Sequence, residues 1–217
     1  MFAIAVTLLA VRAARAVVFD IGGVLEVPVD THLDGRWEQR LGLEPGAFLE
    51  RLRRSGLGRA ANLGQLSETE FAQALAELYG LDRRTTDELL DDLWDWYVGE
   101  LNAEMADYFQ RLRPRYRTGI LSNAAAGGRR QEQMRYGFDD MADLTVYSYE
   151  VGIEKPDRRI YLLTCERLGV HPGEVVFLDD LEANVAAARG VGMRAVLFQT
   201  TAQAITDVEA CLAHSTG

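Results

Sequence analysis

This chain of 217 residues has almost no lysine: of its 23 basic residues, 22 are arginine and Lys155 is the single exception. Arginine presents a planar fork that stays charged, whereas lysine is a compact point charge on a flexible stem. A lysine kept in so arginine-rich a chain is either an exposed survivor or a place where the fork does not fit. Bases are also outnumbered, 23 against 33 acids, for a net charge of -10. That balance excludes a nucleic-acid partner, which requires clustered positive charge against the phosphates.

Cysteine and histidine are scarce too. Cys165 and Cys211 lie far apart with no CxxC spacing, which excludes a disulfide scaffold and a zinc ribbon and fits a reducing, cytoplasmic compartment. His32, His171 and His214 stand singly, so neither a histidine metal cluster nor a histidine-based triad is in view. The apolar run from Phe2 to Val11 is far too short to span a bilayer. It has a superficial likeness to the core of a signal peptide, but no positive segment precedes it, and residues 1–14 are read as an N-terminal extension. No membrane partner is expected.

What is present is a globular composition, 48% hydrophobic and 26% charged, in a length that holds about one to two domains. From Arg15 onward, strand-like and helix-like patterns alternate. Short apolar runs at 16–20, 117–122, 144–147, 174–179 and 194–198 read as buried strands of a parallel sheet. Helical periodicity at 105–112, 128–136, 157–168 and 181–190 falls between them. Residues 28–100 carry no convincing strand and read as short amphipathic helices. Ser67 to Glu70 and Thr85 to Glu88 have the form of capping boxes there. The expected architecture is α/β: a Rossmann-like doubly wound core from 15–27 and 101–217, with an all-helical cap inserted at 28–100.

The polar residues fall at one edge of that core. Asp20, Ser122 and the pair Asp179 and Asp180 lie at the C-terminal ends of the first, second and fourth predicted strands, and Lys155 sits in the loop after the third. Open parallel sheets bind ligands at this edge. Carboxylates, a hydroxyl and an ammonium converging there suit a divalent cation beside a phosphate, since carboxylate oxygens hold magnesium and the lysine and hydroxyl hold phosphate oxygens. Each aspartate taken singly is also explained as a turn or helix cap. Four such coincidences in order are harder to explain that way.

The segments FDIGGVL (Phe19–Leu25), ILSNA (Ile120–Ala124), EKPD (Glu154–Asp157) and FLDDLEANVAAARGVGM (Phe177–Met193) resemble, in order, the four motifs of the haloacid dehalogenase-like hydrolases. The resemblance covers nearly the whole chain from Arg15, including a helical cap after the first motif. It implies Asp20 as the nucleophile that becomes an aspartyl phosphate, and Ser122, with Asn123 beside it, on the transferring phosphoryl group. It implies Lys155 as the neutraliser of nucleophile and phosphate. For Mg2+ it implies Asp20, the Gly22 backbone carbonyl and Asp180, with Asp179 as acidic neighbour, and for Asn184 a supporting role. Lys155 then ceases to look like an exposed survivor.

One position departs from the pattern. Most phosphatases of the family read DxDG, the second aspartate serving as general acid and base, and here it is Gly22. The resemblance therefore implies a magnesium-dependent phosphohydrolase acting on a small phosphorylated metabolite, sugar phosphates among them. The rivals are a metal-independent 2-haloacid dehalogenase, which also lacks that acid but has no use for Asp179 and Asp180, and a catalytically weak relative that binds a phosphorylated ligand. A receiver domain has similar groups in a different order and no helical insert. Trp94, Trp96 and Tyr97 are read as packing residues, and Arg51, Arg53 and Arg54 as a solvated helix face. Glu26 and Asp30 are read as lining the entrance without a catalytic role. Apolar stripes on the cap leave room for a homodimer.

Overall fold

A computed structural model describes residues 13–213. The expected extension at 1–14 falls almost wholly outside them, as does His214. Strands β1 (Ala16–Phe19), β2 (Glu26–Val27), β3 (Glu100–Leu101), β4 (Arg117–Ser122), β5 (Leu144–Tyr147), β6 (Val175–Asp179) and β7 (Arg194–Leu197) form two sheets. The larger runs β5-β4-β1-β6-β7 and is parallel throughout.

Its central strand shows why the run is continuously apolar. Val17 and Phe19 enter one hydrophobic cluster, and Ala16 and Val18 enter another on the opposite face. With both faces covered, the period of two carries no polar residue. Helices α6 (Ala103–Leu112) and α12 (Thr201–Ala213) cover the first face through Met105, Phe109, Ala204 and Val208. Helices α10 (Arg158–Leu168) and α11 (Glu182–Gly190) cover the second through Ile160, Tyr161, Val185 and Ala188. This is a doubly wound, Rossmann-like sheet.

Between β2 and β3 lie α1 (Leu33–Leu41), α2 (Ala47–Ser55), α3 (Leu57–Asn62), α4 (Glu68–Tyr79) and α5 (Arg83–Val98). They enclose a third cluster centred on Trp37, Phe48, Leu75 and Leu89. Ser67 caps α4 in a complete capping box with Glu70. The second expected box is not used. Helix α5 begins earlier, at Arg83, because the Asp82 carboxylate accepts the Thr85 N–H at 2.8 Å and takes the cap. The antiparallel pair β2 and β3 forms the two-stranded stem of the insertion, too short for any periodic signal.

The helical layer is held over the sheet edge. Arg59 pairs with Glu154 at 2.6 Å, Arg130 with Glu68 at 3.2 Å and Arg135 with Asp95 at 2.5 Å. Closer contact comes from α7 (Ala126–Tyr136), which is followed by the one-turn helices α8 (Phe138–Met141) and α9 (Ser148–Val151) and whose first turn carries Gly127 and Gly128. A Cβ on Gly127 would stand 2.5 Å from the Trp94 ring, and one on Gly128 2.9 Å from the Tyr97 ring. The missing side chains let α5 lie directly on α7. Trp94 packs there as expected, whereas Tyr97 continues into the cleft below.

Candidate active site

The winding of the chain reverses at β1, which is flanked by β4 and β6. Above that point a cavity of about 230 Å³ is lined by Asp20, Ser122, Lys155 and Asp180, together with Gly22, Glu26, Tyr97 and Glu132. A larger groove of about 680 Å³ between α4 and α5 holds none of the strand-end groups.

Lys155 is at the centre. Its side chain is 1% exposed, and its Nζ lies 2.7 Å from Asp20 Oδ1 and 2.7 Å from Asp179 Oδ2. Burial alone would favour the neutral amine, but Asp20 and Asp179 more than offset it and hold the ammonium above the usual lysine range. A point charge meets both carboxylates from one atom, whereas an arginine fork spreads its donors over three nitrogens, and this is a reason for a lysine at this position. Asn123 sets the loop: its Nδ2 donates to the Lys155 carbonyl at 2.9 Å, and its Oδ1 accepts the Lys155 N–H at 2.8 Å.

Asp20 follows β1 and accepts the Ile21 N–H on Oδ1 at 2.8 Å, the same oxygen that meets Lys155. Burial pushes its carboxyl up to about 7; Lys155 opposes that rise and Asp179 adds to it. Asp179 is fully buried, accepting the Leu181 N–H at 2.9 Å and the Asn184 Nδ2 at 2.9 and 3.1 Å besides Lys155. Its two oxygens are thus heavily used. Asp180 is pushed up by burial and then by Asp179, and its carboxylate rests over the first loop. A Cβ at Gly23 would come within 2.4 Å of Asp180 Oδ2, so the glycine is what admits that carboxylate.

Oxygens of Asp20, Asp179 and Asp180 lie within 4.8 Å of one another. Three acids against one lysine leave uncompensated negative charge, and the donors are hard oxygens. The residues therefore fit a magnesium ion.

Two further acids line the cavity: Glu26, expected from the sequence at the entrance, and Glu132, which carried no sequence signal. Glu26 is buried, and burial followed by Glu132 pushes its carboxyl up to about 9. Glu132 is 1% exposed, and burial followed by Asp20 pushes it up to about 8. Oε1 of Glu26 and Oε2 of Glu132 have no hydrogen-bond partner. Asp30 lies outside the site, exposed beside His32 at 3.1 Å. Among the described residues no helix is long and apolar enough to cross a membrane.

Residues 14–192 match the family model described as haloacid dehalogenase-like hydrolase. Bifunctional epoxide hydrolase 2 of Sus scrofa is 29% identical over 91% of this chain, which spans only 38% of that protein's length. D-ribitol-5-phosphate phosphatase of Bacteroides thetaiotaomicron is 28% identical over 82% of this chain and 88% of its own. (S)-2-haloacid dehalogenase 1 of Pseudomonas sp. (strain CBS-3) is 32% identical over 82% of this chain and 73% of its own. Among solved structures, a HAD-like family hydrolase from Porphyromonas gingivalis superposes with a TM-score of 0.72 and 29% identity, covering 90% of this chain and 98% of that one. With strand-end acids and a buried lysine at the switch point of a parallel sheet, and a family match over most of its length, the chain belongs to the haloacid dehalogenase-like hydrolases.

Proposed function

We propose that the protein is a magnesium-dependent phosphohydrolase acting on small phosphorylated metabolites through an aspartyl phosphate on Asp20. The observation that carries this reading is the charge balance of the cavity, where Asp180 and the buried Asp179 add negative charge beside Asp20 that one lysine does not neutralise. Asp20, Asp180 and the Gly22 carbonyl would hold the ion, with Asp179 behind them. Bound there, magnesium supplies charge neutralisation for the phosphoryl oxygens.

Asp20 Oδ1 is engaged by Lys155 and by the Ile21 N–H, which leaves Oδ2 to attack phosphorus. Ser122 and the Lys155 ammonium hold the non-bridging oxygens, so the nucleophile approaches a dianion that would otherwise repel it. Asn123 fixes the position of Lys155 through both ends of its carboxamide. Asn184 and the Leu181 N–H orient Asp179.

Gly22 favours a second reading, attack by Asp20 on carbon in a 2-haloacid, since that reaction has no need of the absent aspartate. The two separate cleanly in one assay pair. Phosphate release from an aryl phosphate and from sugar phosphates with magnesium, lost in Asp20→Asn, supports the phosphohydrolase. Chloride release from 2-chloropropionate without metal, and no phosphate release, supports the dehalogenase. Binding of phosphate without turnover of either substrate identifies a ligand-binding relative.

A further inference from the structure

Phosphoryl transfer to Asp20 leaves an alkoxide that needs a proton, and Gly22 has no side chain to give one. A Cβ added at Gly22 would meet nothing within 4 Å, so the loop leaves open the room that an acid would fill. The proton must come from another wall of the cavity. Glu132 stands on such a wall, on α7, outside all four motifs. It is buried, it shares the cavity with Asp20 and Lys155, and its Oε2 has no partner. Buried polar oxygens are nearly always hydrogen-bonded, and one left free in the cavity that holds the nucleophile is available to a group brought by the substrate.

Resting on the phosphohydrolase reading, we propose that Glu132 is the catalytic acid and base of this enzyme, taking over the task of the missing side chain at Gly22. As Asp20 Oδ2 bonds to phosphorus and the bond from phosphorus to the leaving oxygen breaks, the Glu132 carboxylic acid gives its proton to that oxygen and the alcohol departs. Water then attacks phosphorus, the Glu132 carboxylate takes the proton it sheds, and the Asp20–phosphorus bond breaks. Inorganic phosphate leaves with both carboxyl groups restored.

The surroundings keep Glu132 protonated until it is needed. Burial favours its neutral form first, and the charges of Asp20 and Asp139 reinforce it. Glu26 lines the same cavity and is itself held neutral by burial and by Glu132, with Arg135 opposing. The hydroxyls of Tyr97 and Tyr147 work the other way, favouring the carboxylate that exists between the two steps. Arg129 is engaged by Asp139 and Glu150 and lies over the Tyr147 ring, and Lys155 is held by Asp20 and Asp179. A group held near 8 matches the pH at which general acids work well.

The test compares an alkyl phosphate with an aryl phosphate whose leaving group needs no proton, using the full chain with magnesium. Glu132→Gln is expected to lower kcat on the alkyl substrate about 10²-fold or more and to change aryl turnover far less. It should also abolish the fall in alkyl activity above about pH 8. Adding Gly22→Asp to Glu132→Gln should restore much of the alkyl rate, a rescue that a merely structural role would not permit. Equal losses on both substrates, an unaltered pH profile, or the same selective loss from Glu26→Gln in place of Glu132→Gln would overturn the assignment. A wild-type protein that releases no phosphate from either substrate overturns the phosphohydrolase reading as well, whereas wild-type turnover with those outcomes overturns only the role of Glu132.

Discussion

Lys155 Nζ stands 2.7 Å from Asp20 Oδ1 and 2.7 Å from Asp179 Oδ2. One buried ammonium thus joins the end of β1 to the end of β6. The contact ties the fold to the chemistry, because the charge that would meet a phosphate also holds two acids at the centre of the sheet. Lys155→Met is expected to cost about 3–5 kcal/mol in urea unfolding near neutral pH, since it strands two buried carboxylates. The loss should shrink below about pH 7, where Asp20 takes up a proton. Lys155→Arg should lower kcat by about 10²–10³-fold even where the protein folds. A stable, active arginine variant would show that the site does not need a point charge.

Magnesium should stabilise the protein against heat. An ion bound only by the folded state adds about 2.7 kcal/mol at a concentration of 100 Kd. Thermal melts with and without magnesium measure this directly. Asp180→Asn should remove most of the shift, because Asp180 is the acid beside Asp20 whose carboxylate faces the cavity. A shift of equal size in that variant would place the ion elsewhere.

Without metal, stability should fall as pH rises. Asp20, Glu132 and Glu26 have folded-state values near 7, 8 and 9, against ordinary values of 3.8, 4.5 and 4.5. In each case the folded state keeps a proton that the unfolded state has released, so the slope of unfolding free energy with pH is negative. The decline begins near pH 4 and ends once pH passes about 9. Urea unfolding in the presence of a chelator tests it, and the double variant Glu26→Gln with Glu132→Gln should flatten the upper part. A profile that rises between those limits would contradict the assignment of buried, neutral acids.

Contact between α5 and α7 should govern substrate capture. Gly127→Ala places a methyl group 2.5 Å from the Trp94 ring, which must move. Overpacking of this kind costs about 1–3 kcal/mol. Displacing α5 withdraws Tyr97 from the cavity, so KM is expected to rise more than kcat falls. Steady-state kinetics of Gly127→Ala and Gly128→Ala would show it, and unchanged KM in both would mean that the helical layer does not close the site.

The strand-end acids were legible in the sequence because each follows an apolar run that can only be a buried strand, and Lys155 because it is the single lysine, in the loop after the third strand. Charge in such a place is conspicuous. Glu132 was not, since α7 reads Ala-Gly-Gly-Arg-Arg-Gln-Glu-Gln and one glutamate among polar neighbours gives no sign of burial. Its burial is created by tertiary contact with the α5 side chains that the two glycines admit. Glu26 was read as lining the entrance, and only the pairing of β2 with β3 turns it inward. Helix α12 was missed although Ala204, Val208 and Leu212 repeat every fourth residue, because Ile205, Ala210 and Cys211 between them are apolar too and blur the stripe. The start of α5 was misplaced because two candidate caps, Asp82 and Thr85, stand within one turn of each other.

Formation of a phosphorylated Asp20 is the most direct test. The protein is mixed with magnesium and an aryl phosphate, quenched in acid within the first turnover, digested and weighed by mass spectrometry. The expected result is one added phosphoryl group on the peptide containing Asp20, absent from Asp20→Asn and lost again as free phosphate appears. Steady release of phosphate with that peptide never modified at any quench time would contradict nucleophilic attack by Asp20.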